Sequence, residues 1–147
     1  MATAEKILEI AQSQIGTKES PAKSDNVKYN TAYYGREVSD GKHPWCAVFV
    51  WWVFREAGAP ELYYGGGETA YCPTLMSFHK KQAVTDYRPG DIVFFDGTMG
   101  EDVAGITHCG IYVGNHKMLH CGSPIGYADL TDSYWQTHFH SFGRVPN

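Results

Sequence analysis

The sequence predicts an α+β domain, with helices in the first half packed on a small antiparallel β-sheet formed by the second. Three observations carry this reading. Helix signals fill the chain up to about His79 and then stop. From Arg88 onward, short runs rich in Ile, Val, Phe and Tyr alternate with turns containing Gly, Asn or Pro. Finally, 147 residues, 43% of them hydrophobic, suit one core, so residues 1–147 are read as a single domain.

Residues 3–15 read as the first helix. Thr3 stands at the cap, Glu5 falls in the first turn, and Ala4, Ile7, Leu8, Ala11 and Ile15 form an apolar stripe that ends at Gly16. Residues 17–44 read as a loop rich in Ser, Asn, Asp, Gly and Tyr. A loop of that length in a small domain is often functional. Residues 45–57 form a second helix, apolar on nearly every side and therefore central, closed by Gly58 and Pro60. Another loop covers 63–72, and Pro73 opens a short helix to about His79. After the turn Arg88-Pro89-Gly90, Asp91-Ile92-Val93-Phe94-Phe95 reads as a strand. Residues 96–105 are a loop, Ile106 to Val113 a strand, Lys117 to Cys121 its hairpin partner, and 140–145 a last strand.

Composition excludes several functions. The formal charge is -4 and no basic run exists, so neither nucleic acid nor a polybasic membrane anchor has electrostatic support. No stretch reaches transmembrane length, and Met1 to Gly16 lacks the apolar core of a signal peptide. The chain is therefore expected to be made in the cytoplasm, without membrane insertion, and to reach any external substrate by a separate route. A monomer is expected. The four cysteines, 46, 72, 109 and 121, contain no CxxC pair and are read as thiols rather than disulfides.

Cys46 lies where a turn, His43-Pro44-Trp45, runs into the second helix. The first turn of a helix has backbone N–H groups without acceptors and a partial positive charge, both of which favour a thiolate. On position alone Cys46 still reads as a buried structural thiol. A histidine pair changes that. Thr107-His108-Cys109-Gly110 is echoed by Leu119-His120-Cys121-Gly122, with the histidines twelve residues apart. If the hairpin turns through Val113-Gly114-Asn115, His108 and His120 share one face, and Cys109 and Cys121 face the other way into a core. Nucleophile Cys46, base His108 and orienting group His120 are the parts of a thiol hydrolase. Asn115 and Asp129 are alternatives for the third role. The oxyanion would be met by the backbone N–H at the helix start, with Tyr33 or Tyr34 as a second candidate and Trp45 at the substrate side.

At these residues the sequence resembles a known group. Pro44-Trp45-Cys46-Ala47-x-Phe49-Val50-x-Trp52, followed by Ala57-Gly58, resembles the nucleophile helix of CHAP amidohydrolase/peptidase domains. Arg88-Pro89-Gly90-Asp91-Ile92-Val93-Phe94-Phe95 and His108-x-Gly110-Ile111-Tyr112-Val113-Gly114 resemble the sheet shared by CHAP and NlpC-type peptidoglycan cysteine peptidases. The resemblance spans roughly residues 5–145. It implies a papain-like fold and cleavage of an amide bond in bacterial wall peptides through a cysteine thioester, by an endopeptidase or an N-acetylmuramoyl-L-alanine amidase. His120 matches the NlpC-type pattern, whereas Trp45-Cys46-Ala47 lacks its Asp-Cys-Ser-Gly signature. Peptidoglycan is the expected partner, as for a phage lysin released through a holin or a bacterial enzyme with dedicated export.

Two readings of other classes stand beside it. One is a wall-binding module without catalysis. The other is a zinc module using His108, Cys109, His120 and Cys121, which alternation along a strand keeps from converging. No metal and no cofactor are assigned. Asp25, Asn26 and Asn30 read as a solvated turn rather than a calcium loop. His43, His79, His116, His138 and His140 read as surface residues, Trp51 and Trp52 as core, and Tyr63, Tyr64 and Tyr71 as the rim of a cleft.

Overall fold

The computed structural model describes residues 3–79, 83–84, 88–96, 106–121 and 124–143. Positions 97–105 of the expected loop and 144–145 of the expected last strand lie outside them. The first helix, α1 (Thr3–Gln12), buries Ile7 and Ala11 and is followed by a turn that closes at Gly16, where φ is +95°. Ile15, expected on the apolar stripe, lies past the helix end and is exposed. The long segment after it is not all loop: it contains α2 (Lys28–Tyr34), ended by left-handed Gly35. The central helix is α3 (Cys46–Glu56). Pro60 does not simply end it but starts α4 (Pro60–Tyr64), using its fixed φ at the first position. The last of this group is α5 (Cys72–His79).

The second half forms a six-stranded antiparallel sheet from β1 (Ala83–Val84), β2 (Ile92–Asp96), β3 (Ile106–Gly114), β4 (Lys117–His120), β5 (Gly126–Asp129) and β6 (Phe139–Gly143), in the order β1-β6-β2-β3-β4-β5. A short helix, α6 (Ser133–His138), precedes β6. The sheet is sandwiched between unequal layers. On one face, Ile92, Phe94, Cys109, Ile111 and Leu119 meet α3, whose Cys46 to Trp51, Val53 and Phe54 are all buried. On the other, Val93, Phe95, Tyr112 and Met118 are covered by Ala128, Leu130 and Trp135. Alternation along β2 and β3 produces both surfaces. Of the described helices α3 has the most buried residues, and each Å² of apolar surface they remove from water contributes about 25 cal/mol.

The β3–β4 hairpin differs from expectation in its turn. Gly114 pairs with Lys117, so the loop is Asn115-His116, with φ of +51° and +60°. Two left-handed residues make the turn that matches strand twist. A register shift between Tyr112 and Gly114 takes up the remaining residue. The register places His120 directly opposite Gly110, two residues from His108 and on the same side of the strand.

Candidate active site

The site starts from a turn that is held from several sides. Trp45 donates its indole N–H to Glu19 Oε2 at 2.9 Å, and Glu19 Oε1 accepts the Asp25 N–H at 3.3 Å. Asp25 Oδ2 accepts the His43 N–H at 2.9 Å. Asn30 Nδ2 donates to the carbonyls of Asp25 and His43 at 3.0 and 2.9 Å. Tyr29 stacks on Trp45 at 5.7 Å. The segment before Cys46 is therefore braced by the loop that the sequence marked as functional. Asp25 and Asn30 act here as struts. Trp45 does too: it is buried and its N–H is engaged, which removes it from the expected substrate side.

Cys46 is the first residue of α3, and no side chain caps that helix. It is 6% exposed. Its neighbours are the chain's other cysteines. The sulfur of Cys72 is 3.4 Å from that of Cys46 and 3.7 Å from that of Cys109. Hydrogen bonds from Cys109, Cys121, Cys72 and then His108 hold the Cys46 thiol well below its ordinary range, against the opposing effect of burial. The other three thiols move up: Cys72 chiefly through its bond to Cys109 and then that to Cys46, Cys109 chiefly through its bond to Cys46, and Cys121 chiefly through burial. One thiolate with three protonated donors is the arrangement these opposite shifts describe. All four are thiols in the structure. Cys109 does face the core, as expected, but that core contains Cys46.

His108 lies beside it at the start of the hairpin. Its Nε2 is 2.9 Å from His120 Nδ1. A ring nitrogen of His108, Cys46 Sγ and Cys121 Sγ lie within 4.8 Å of one another. With Nε2 facing His120, Nδ1 is the nitrogen left to exchange a proton with Cys46. Burial, aided by the neighbouring His108, lowers the His120 pKa to about 4. His120 is thus neutral at physiological pH; with its own proton on Nε2, its Nδ1 accepts the Nε2–H of His108. That bond selects the His108 tautomer with a free lone pair on Nδ1. Asn115 and Asp129 sit at the turn end of the hairpin, where Asp129 accepts from Thr131, so of the three candidates for the third position His120 is the one in contact with His108.

Trp135 was missed by sequence reasoning. Its ring stacks on His108 at 5.5 Å and meets His120 edge-on at 5.2 Å. Phe95 also touches His108, at 6.2 Å. Beyond these two rings is a cavity of about 340 Å³, lined also by Tyr112 and Phe139. A Ser-Tyr-Trp run carries no signal that would place it on the His108 imidazole. Tyr34 packs edge-on to His43 at 4.9 Å, and Tyr33 packs on Trp51 at 5.2 Å, with burial raising both phenols. Tyr63 and His79 were misplaced: both are buried, Tyr63 reaching the Ala47 and Thr69 carbonyls and His79 Nε2 donating to the Tyr63 carbonyl at 2.7 Å. Tyr71 is exposed, as a rim residue would be.

Comparison with known proteins gives a consistent picture. Residues 31–144 match the NlpC/P60 family. A bifunctional muramidase/DL-endopeptidase of Bacillus subtilis, CwlT, is 38% identical over 104 residues, which are 68% of this chain and 28% of that protein. The chain therefore spans less than a third of that relative's length. Among solved structures, an NLP/P60 family lipoprotein-like protein of Staphylococcus aureus aligns over 99% of this chain and 42% of its own, with a TM-score of 0.63 and 22% identity. RipD of Mycobacterium tuberculosis, described as a non-catalytic NlpC/p60 domain protein adapted to peptidoglycan binding, aligns over 99% of both chains with a TM-score of 0.64 and 14% identity. These likenesses establish the papain-like α+β fold. Of the two branches the sequence resembles, the NlpC type is the one matched.

Proposed function

The chain belongs to the NlpC/P60 family, and from that premise we propose that it is a cysteine-dependent peptidoglycan endopeptidase. The substrate is an amide bond of a wall stem peptide, of the kind implied by the DL-endopeptidase name of its relative. The observation that carries the reading is the alignment of Cys46, His108 and His120: a depressed thiol at a helix start, an imidazole beside it, and a second imidazole 2.9 Å behind.

The chemistry follows from that order. Cys46 passes its thiol proton to His108 Nδ1, the resulting thiolate attacks the scissile carbonyl carbon, and the carbonyl electrons move onto oxygen. The first-turn N–H groups of α3 meet the oxyanion. Collapse expels the amine, which takes a proton from His108 Nδ1 and leaves a thioester on Cys46. Water then attacks the thioester, His108 takes its proton, and the carboxylate product departs as the thiolate re-forms. His120, neutral and accepting, steadies the imidazolium in both halves.

Digestion of purified walls by wild type and Cys46→Ala, with fragments read by mass spectrometry, tests the proposal. Soluble stem-peptide fragments from the wild type alone are expected. Equal digestion by the variant would refute the mechanism. Wall binding without any cleavage would favour a non-catalytic module, and release of intact stem peptides from muramic acid would indicate an amidase instead.

A further inference from the structure

Four separate segments each deliver a cysteine to one point: Cys46 from α3, Cys72 from α5, Cys109 from β3 and Cys121 from just past β4. A thiol hydrolase is complete with a nucleophile and two imidazoles, so a nucleophile ringed by three further thiols exceeds what hydrolysis requires. A single buried thiol is ordinary core filling. Convergence of sulfur and imidazole donors on one locus is a different chemical object.

Among the described residues, Cys46 Sγ, Cys121 Sγ and a ring nitrogen of His108 lie within 4.8 Å of one another. With Zn–S bonds of about 2.3 Å, sulfurs in a tetrahedral site stand roughly 3.8 Å apart, so the donors need to close by only about 1 Å. Soft thiolates with an imidazole favour zinc over magnesium or calcium. Cys121 is the least buried of the four cysteines, which gives an ion a way in beside it.

We propose that Cys46, His108 and Cys121 form a regulatory site for a soft divalent cation of the zinc class, whose occupancy silences the enzyme. This rests on the hydrolase reading, because it concerns the same sulfur and the same base. The ion takes the lone pairs of the nucleophile and of His108 together. Any proton on the Cys46 or Cys121 sulfur passes to solvent, no electron transfer is involved, and water fills the fourth position left by three protein ligands. It also differs from the zinc module weighed from sequence, since it uses Cys46 and dispenses with Cys109 and His120.

The test uses the full chain, reduced with a phosphine and titrated with Co²⁺, then with Zn²⁺. One equivalent of cobalt is expected, with an intense thiolate-to-cobalt charge-transfer band that zinc abolishes. Cys121→Ser is expected to weaken binding on the order of a hundredfold or more, since it removes a direct ligand. Zinc should also protect Cys46 and Cys121 of the wild type from iodoacetamide, a readout that stands even if the variant does not fold. No stoichiometric cobalt, unchanged affinity in a folded Cys121→Ser, or equal alkylation with and without zinc would each overturn the site. Wall digestion in chelator separates the two ideas. Walls left intact by a protein that binds cobalt would remove the hydrolase reading alone, and digestion without cobalt binding would remove only the metal site.

Discussion

The shifts on Cys46 and His120 run in directions that serve one proton pathway. Cys46 is held as a thiolate by thiol donors, and His120 is held neutral by burial. Iodoacetamide should therefore modify Cys46 faster than Cys121 near neutral pH, even though Cys121 is the more exposed, and peptide mapping would show it. Equal rates would remove the case for an activated sulfur. Cys46→Ala should lower wall-digestion kcat by at least about ten-thousandfold, as loss of a catalytic nucleophile does. For His120→Ala, loss of the acceptor behind His108 should cost about a hundredfold or more in kcat, with Asn at that position restoring part of it. The nearness of His108 to His120 was legible in the sequence because a spacing of twelve across a hairpin returns a strand to the same face. The ring of thiols was not, because it depends on how α3 and α5 pack on the sheet.

Between residue and fold, two elements position the chemistry. The first is the β3–β4 hairpin. A Cβ at Gly110 would meet Met118 Sδ at 2.8 Å, the Leu119 carbonyl at 3.0 Å and His120 Cβ at 3.2 Å. Gly110→Ala should therefore push β4 away, lengthen the His108–His120 contact and destabilise the domain by about 1–3 kcal/mol. A lowered denaturation midpoint together with reduced kcat would report both effects. The second is the brace from Glu19 through Asp25 and Asn30 to His43 and Trp45. Glu19→Ala removes the acceptor for both Trp45 and the Asp25 N–H. A loss of about 1–3 kcal/mol is expected in urea unfolding, the cost of leaving a buried donor unpaired. α3 was legible from its continuous apolar run. α2, α4, β5 and α6 were not: each is too short to show a period, and each is stabilised by what it packs on.

Across the whole molecule, buried His79 and half-buried His120 link folding to pH. His120 and His79 both have folded pKa values below the ordinary 6.5, His120 at about 4. In that interval the unfolded chain binds protons that the folded chain refuses, so stability is complete above about 6.5 and falls as pH drops toward 4. The His120 contribution is on the order of 3 kcal/mol. Urea midpoints across this range, measured in chelator, should decline steadily for wild type and less for His120→Asn. A flat profile would contradict the burial argument. At this scale the sequence was informative about fold class and about the hairpin. Strand order was beyond it, since β6 enters between β1 and β2 through pairings far apart in the chain. Among the described residues, no helix is long and apolar enough to cross a membrane.

The indole of Trp135, lying flat on His108 and edge-on to His120, has a practical consequence. Protonated imidazole quenches indole emission on contact, so this ring is a built-in optical gauge of the charge state of His120. An emission change as His120 titrates near pH 4, absent in Trp135→Phe, would allow the site to be followed in solution without substrate or label.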